Sequence, residues 1–348
     1  MNKKNYFHRV NELTPTRFWI NNVTTEEAHI AIAEGAIGCT QNPSYVWKML
    51  TNPEMKEKTI ALIKEYGKTS SDIDEILVNV QRDLVYDISK IFLPLYEASN
   101  GMNGYVSIQG DPFHEDTESI IKYARFNFEK SPNIMAKIPV TEEGLEAIAV
   151  CAAEGIPINA TEVMAVKQAL DVCDVYTKAT KGLKNKAPIY FSHITGIYDE
   201  YLVKTVEKEN IDVQEDILWQ AGMAIAKKTY WMAKERNKEV GFIGGGARGL
   251  HHFTEMVGAD ANITINWIGS AKDLIDSNPV VVDRFNTKTP DYVIDELCEK
   301  LPDFKKGYFV NEIESHEYET FGPVVLFRVS FEEAWEKTRE AAKEILGL

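Results

Sequence analysis

The stretch Asn133-Ile134-Met135-Ala136-Lys137-Ile138-Pro139-Val140, followed at once by Thr141-Glu142-Glu143-Gly144, decides how this chain is read. The run is short and largely apolar, and a helix-start signal follows it, so it reads as a buried strand feeding a helix. Thr141 can cap that helix, and Glu142 and Glu143 sit where the helix dipole favours negative charge. Lys137 is the exception in the run. An ammonium on a buried strand is costly to desolvate unless it is paired or put to use. Desolvation lowers a lysine's pKa and frees the amine for attack on a carbonyl. Two readings follow from these residues: a Schiff-base lysine, or a lysine at a strand end that snorkels to water or pairs with a carboxylate.

Outward from this stretch the same rhythm recurs. Short apolar runs lie at 17–21, 36–40, 105–109, 134–139, 156–161, 189–193, 240–244 and 261–266. Helical patterns fill the gaps. Thr24 caps a first helix with Glu26 and Glu27 in its first turn. Residues 43–98 are too long for one helix and divide into two or three; 163–178 and 214–234 carry apolar residues at three- and four-residue spacing; about 325–346 reads as a final amphipathic helix. Eight strands alternating with helices predict an α/β fold, a single (β/α)8 TIM-type barrel with extra helices after the second strand and a C-terminal helix. A doubly wound sheet is the alternative. Residues 1–348 are read as one domain, with a barrel core at about 17–270 and C-terminal loop and helices at 271–348. The segment from about 277 to 324 is expected to fold over the barrel mouth.

Composition narrows the classes. The net charge of -15 argues against nucleic acid as a partner. Cys39, Cys151, Cys173 and Cys298 are far apart, with no CxxC spacing, a usage expected of a reduced, cytoplasmic protein. The first ten residues lack the apolar core of a secretory leader, and no run reaches the length of a membrane span. No metal site or cofactor motif is evident.

In a barrel of this type function sits at the C-terminal strand ends. Those ends carry Asn21 and Asn22, Thr40-Gln41-Asn42, Gln109, Lys137, Asn159 and Thr161, Ser192-His193, Gly244-Gly245-Gly246 with Arg248, and Asn266. Here the chain resembles the transaldolase family. Thr40-Gln41-Asn42-Pro43 is similar to the family's Thr-x-Asn-Pro. Val106-Ser107-Ile108-Gln109-Gly110-Asp111-Pro112 resembles its Val-Ser-x-Glu-x-Asp. Lys137-Ile138-Pro139-Val140-Thr141-Glu142-Glu143-Gly144 resembles its Schiff-base segment, and Gly155-Ile156-Pro157-Ile158-Asn159-Ala160-Thr161 its Gly-Ile-x-x-Asn-x-Thr. The resemblance implies a Schiff base on Lys137, ligand hydroxyls bound by Asn42, Asn159 and Ser192, and a water held by Thr161. The structural alternative makes Asn42 a helix cap and Thr161 a β-branched strand residue.

The departures bear on specificity. Where the family has an Asp at the end of the first strand, Phe18-Trp19-Ile20-Asn21-Asn22 offers only amides, which position a hydroxyl but do not deprotonate it. The family's Glu on the third strand is Gln109, as in fructose-6-phosphate-aldolase-like relatives. His193 and Glu162 are the alternative proton carriers. His193 is otherwise a hydrogen-bonded structural histidine, and Glu162 the first acidic residue of a helix. One phosphate-binding arginine is replaced in Thr195-Gly196-Ile197; the second resembles Arg248 in Gly244-Gly245-Gly246-Ala247-Arg248-Gly249, a loop whose free amides would suit an anion. His251 and His252 either add donors there or pack.

The expectation is therefore transfer of a dihydroxyacetone unit from a ketose or ketose phosphate to an aldehyde. Catalytic residues are Lys137, Thr161, Gln109 and Asn21; Asn42, Asn159, Ser192 and Arg248 bind substrate. An aldolase-like lyase and a non-catalytic sugar-phosphate-binding barrel are the alternatives. Partners are small sugars or sugar phosphates, with no nucleic acid and no membrane. Related proteins range from monomers to larger rings, so the resemblance admits a homo-oligomer.

Overall fold

The computed structural model describes residues 4–348, so the start of the stretch read for a leader lies outside the described residues. Eight strands close into a barrel in chain order: β1 (Arg17–Asn21), β2 (Ala36–Thr40), β3 (Val106–Ile108), β4 (Ile134–Pro139), β5 (Ile158–Val163), β6 (Ile189–His193), β7 (Val240–Gly244) and β8 (Asn262–Asn266). Each strand pairs in parallel with the next, and β8 pairs with β1, which excludes an open doubly wound sheet.

Most strand bounds match those read from sequence. β5 is the main difference, starting and ending two residues later than expected. Pro157 has no N–H to donate, so the ladder on that strand begins after it. Beyond Thr161 the strand continues through an irregularity in its pairing with β6, between Ala160 and Val163. Residues 43–98 form three helices, Tyr45–Thr51, Lys56–Tyr66 and Ile73–Ala98. The pattern at 214–234 splits into Glu215–Leu218 and Ala221–Arg236, because the buried Asp199 carboxylate accepts from the Gly222 amide at 2.7 Å and caps a new helix start.

The barrel lumen is built in layers by the two-residue period of its strands. Trp19, Tyr105 and Met135, with Tyr190 packed against them, form an apolar floor. Two residues further along each strand come Asn21, Ser107, Lys137 and Ser192, which form a polar layer above it. Gly38 and Gly241 make room for the floor: a Cβ at Gly38 would lie 2.3 Å from the Trp19 ring, and one at Gly241 2.3 Å from Tyr190.

The C-terminal helix, Gly322–Leu346, packs against Thr195–Glu209 and against the three helices that follow β2, and so crosses the barrel mouth. Its far end is tied down by Asp74, whose carboxylate accepts from Arg339 at 2.7 and 2.8 Å and from the Trp335 indole at 2.9 Å. The expectation that 277–324 covers the mouth is not met. The helices Asp291–Lys300 and Pro302–Tyr308 pack outside the barrel on Ala221–Arg236.

Candidate active site

At the C-terminal ends of the strands a cavity of about 280 Å³ opens between Asn21, Asn42, Lys137, Asn159, Thr161, Ser192 and Arg248, roofed by Phe327, Ser330 and Phe331 of the C-terminal helix. Sequence reasoning named every one of those wall residues but missed the roof. Its signal is three- and four-residue spacing on one helix face, which looks the same for any core-facing helix.

Lys137 projects from β4 into this cavity and is 7% exposed. It lies beside Asn159 of β5 in the strand register, and Thr161 follows two residues on along the same face. The Asn159 amide is fixed at both ends, donating to Ser107 Oγ at 3.1 Å and accepting from Ser192 Oγ at 2.6 Å. A hydrogen-bonded bar thus runs from β3 to β6 past the lysine. The lysine itself has no carboxylate within ion-pair distance among the described residues. Its nearest cap is the Phe331 ring, whose centroid is 5.6 Å from Nζ. Burial lowers the Lys137 pKa; the carboxylates of Glu162 and Glu115 oppose the shift. This is not the snorkelling lysine of the alternative reading.

On the opposite wall, Thr264 and Thr40 share a hydrogen bond of 2.7 Å, and Thr40 donates onward to Asn21 Oδ1 at 2.8 Å. Asn21 Nδ2 donates to Asn266 Oδ1 at 3.0 Å. Asn22 holds the next loop: its amide bonds Asn42 Oδ1 at 3.0 Å and the Asn42 backbone at 3.1 Å. Asn42 Oδ1 also accepts from the Ser44 amide and hydroxyl, so its Nδ2 is the group left to face a ligand. Asn42 is therefore both a turn residue and a cavity residue.

Gln109 stands apart from the other residues named from sequence. It lies behind Lys137, 2% exposed, and lines a separate void of about 20 Å³ together with Lys137 and Glu115. Its Nε2 donates to Glu115 at 2.8 Å and to Glu162 at 3.3 Å. Glu162 is not at a helix start, as one sequence reading had it; it lies within β5, 1% exposed. His193 is fully buried, with Nδ1 against Thr195 Oγ1 at 3.0 Å, and burial holds its pKa down at about 3. It stays neutral and lies outside the cavity lining, which fits the structural reading and not the proton carrier.

The glycine loop after β7 also differs from expectation. The amides of Arg248 and Gly249 both donate to His252 Nδ1 at 3.2 Å, so they are not free for an anion. That fixes the His252 tautomer: Nε2–H donates to Asp199 at 2.8 Å. His252 packs, and His251 lies against Trp219 with centroids 4.7 Å apart and the rings tilted by 32°. The Arg248 side chain is 47% exposed and donates through Nε to Glu200 at 2.5 Å. Gly196 permits this loop to close on the first turn of the helix Thr195–Glu209, since a Cβ there would lie 2.3 Å from Gly246 O.

Fold and site together define a (β/α)8 barrel with its polar centre at the C-terminal strand ends and a buried lysine in it. Comparison with known sequences narrows that class. The profile of the Transaldolase/Fructose-6-phosphate aldolase family matches residues 18–275. The transaldolase of Mycobacterium tuberculosis (strain ATCC 25618 / H37Rv) is 29% identical over 215 residues, 58% of this chain and 56% of that one. The transaldolase of Helicobacter pylori (strain HPAG1) is 38% identical over 151 residues, 42% of this chain and 46% of that one. The chain thus spans about half the length of the curated relatives it matches. It belongs to the transaldolase/fructose-6-phosphate aldolase family. None of the helices among the described residues is long and apolar enough to cross a membrane.

Proposed function

We propose that the protein transfers a dihydroxyacetone unit from a ketose, free or phosphorylated, to an aldehyde acceptor through a Schiff base on Lys137. The observation that carries this is the buried lysine at the barrel mouth, without an ion-pair partner and flanked by the fixed Asn159 amide. The free amine adds to the ketose carbonyl, and loss of water gives an iminium. The C4 hydroxyl gives its proton to water in the cavity, the iminium draws the electrons of the C3–C4 bond, an aldehyde leaves, and an enamine of dihydroxyacetone remains on the lysine. The enamine carbon attacks the acceptor aldehyde, and water releases the new ketose.

Asn159, Ser192 and the free Nδ2 of Asn42 hold the hydroxyls of the three-carbon unit. Thr161, whose buried Oγ1 has no hydrogen-bond partner among the described residues, holds the hydrolytic water. Asn21 positions the hydroxyl at the bond that breaks. Gln109 supports Lys137 from behind. Arg248 meets the distal end of the sugar. Phe327 and Phe331 exclude bulk water, which strengthens each polar contact beneath them.

The amide at Asn21 and the glutamine at 109 favour a second reading, an aldolase-type lyase in which the enamine is protonated and dihydroxyacetone is released. Release of aldehyde from fructose 6-phosphate, measured with and without an added aldehyde acceptor, separates the two. Turnover that requires the acceptor supports transfer; equal turnover without it, with free dihydroxyacetone accumulating, establishes the lyase. Neither rate rising above that of a Lys137→Met variant would contradict both.

A further inference from the structure

Along β5, Asn159 and Thr161 face the lumen, so alternation would send Glu162 outward into the helix layer. The backbone does otherwise. Glu162 has φ of 64°, and the register slips there against β6. The other non-glycine residues with positive φ among the described residues are all asparagines, which tolerate that conformation. A glutamate is not in that class, and such backbone strain collects at functional sites. A bulge of this kind re-aims a side chain. Gln168 holds it in place, accepting from the Met164 and Ala165 amides at 2.8 and 3.0 Å and donating to the Glu162 and Val140 carbonyls at 3.2 and 2.9 Å.

The result is that Glu162 turns toward the end of β3, where Gln109 Nε2 donates to its Oε1 at 3.3 Å. Gln109 and Glu162 thereby bracket β4, the strand that carries Lys137. Glu162 Oε2 is buried and has no hydrogen-bond partner among the described residues. The groups facing it are Lys137 on β4, Gln109 and Glu115 after β3, and Arg328 and Glu332 on the C-terminal helix; on β6 the neutral His193 pairs in register with the next residue, Val163. A lone buried carboxylate is costly unless a charge compensates it. Two cations face it, Lys137 and Arg328, and Lys137, with no carboxylate at ion-pair distance among the described residues, has the larger effect on it. The void of about 20 Å³ beside Lys137, Gln109 and Glu115 has room for one water.

We propose that Glu162 holds the proton that Lys137 must give up to react. This rests on the Schiff-base reading of Lys137. The proton passes from the Lys137 ammonium to the Glu162 carboxylate, leaving a free amine and a neutral acid. The amine adds to the ketone carbon, its nitrogen proton passes to the new alkoxide, and a carbinolamine results. The acid then gives its proton to the carbinolamine hydroxyl, which leaves as water, and the nitrogen lone pair forms the iminium bond. The Thr161 hydroxyl, on the residue before Glu162, lines the cavity. The pair carries one positive and one negative charge before and after. Burial pushes the Glu162 pKa up and the Lys137 pKa down, which brings the two groups within reach of one proton.

Two measurements on the full chain test this: the pH dependence of Lys137 acylation by trace acetic anhydride, and the rate of borohydride-trapped imine formation with dihydroxyacetone. In Glu162→Gln the ammonium loses its counter-charge, so the acylation curve moves to lower pH by about one pH unit. Imine formation nevertheless slows by about 100-fold, because the acid for the dehydration step is gone. More free amine together with slower imine formation is a pattern that a merely structural glutamate does not produce. Asp and Asn both tolerate positive φ, so Glu162→Asp and Glu162→Asn differ in charge and not in backbone strain. The Asp variant is expected to keep both curves near wild type and the Asn variant to follow Gln. Wild-type curves for Gln and Asn, or equal losses in Asp and Asn, overturn the proposal while leaving the Schiff base in place. A wild-type chain whose Lys137 acylates but traps no ketone at any pH overturns the Schiff-base reading, and this proposal with it.

Discussion

On the β3 to β6 side of the mouth, Ser107, Asn159 and Ser192 are buried and joined by bonds of 3.1 and 2.6 Å past a lysine that is 7% exposed. On the β7, β8 and β1 side, Asn21 is partly open, Asn266 is exposed, and Arg248 is half in solvent and tied to Glu200. The first side resembles the family in its lysine and Asn-x-Thr segments, with Gln109 at the β3 end as its departure; the second carries the amide at the β1 end and Arg248, and the missing arginine falls after β6 at the border of the two. A buried, mutually bonded set admits little change, since each lost partner leaves another group unsatisfied. Half-exposed groups can be exchanged at small cost to the fold. Under the proposed function, the amine chemistry lies where substitution is expensive, and recognition of the sugar's far end where it is cheap.

This contrast can be broken at several points. The largest effect is expected from Lys137→Met, which should remove ketose turnover by at least about 10³-fold, as loss of a nucleophile does. Its melting temperature should fall modestly, because the variant leaves the buried Glu162 carboxylate without the lysine that faces it. Asn159→Ala should cost about 100-fold in kcat/KM, like the loss of one fixed donor. It should also cost about 1–3 kcal/mol in urea unfolding, since Ser107 and Ser192 each lose a partner.

His193 tests the buried side through pH. Its pKa is about 3 in the fold against an ordinary 6.5, so the unfolded chain takes the proton first as pH falls. The stability held by the neutral ring is full above pH 6.5 and lost as pH falls toward 3. The slope is about 1.4 kcal/mol per pH unit. Unfolding free energies at pH 6.5 and 5 should therefore differ by up to about 2 kcal/mol more in the wild type than in His193→Gln.

Effects on the open side should be smaller. Asn21→Asp restores a carboxylate at the β1 end, and donor cleavage should accelerate by about 10-fold while imine formation with dihydroxyacetone is unchanged. Arg248→Ala should raise KM for a phosphorylated donor by about threefold and leave kcat alone, since an exposed, ion-paired arginine has little binding energy left to give. An Arg248 effect larger than that of Asn159 would invert the comparison.

Much of this was legible in the sequence because it rests on local patterns. Short apolar runs, helix caps such as Thr24 and Thr141, and the strand-end polar residues can be read without knowing any partner. What could not be read depends on backbone geometry or distant packing. Glu162 looked like a helix-start acid because alternation and capping rules assume a regular strand, and its positive φ breaks that assumption. The roof formed by Phe327 and Phe331 comes from about 190 residues beyond the lysine, and no local spacing marks a helix as a lid. The loop amides of Arg248 and Gly249 looked free until His252 folded back onto them.

The central claim concerns one bond, between Lys137 and a ketose carbon. Incubation with fructose 6-phosphate or dihydroxyacetone, reduction with borohydride, then intact mass and peptide mapping test it most directly. The expected result is a reduced adduct on Lys137, with a three-carbon fragment retained from the six-carbon donor. A folded chain that gives no adduct with either ketone, or an adduct on any other lysine, would contradict it.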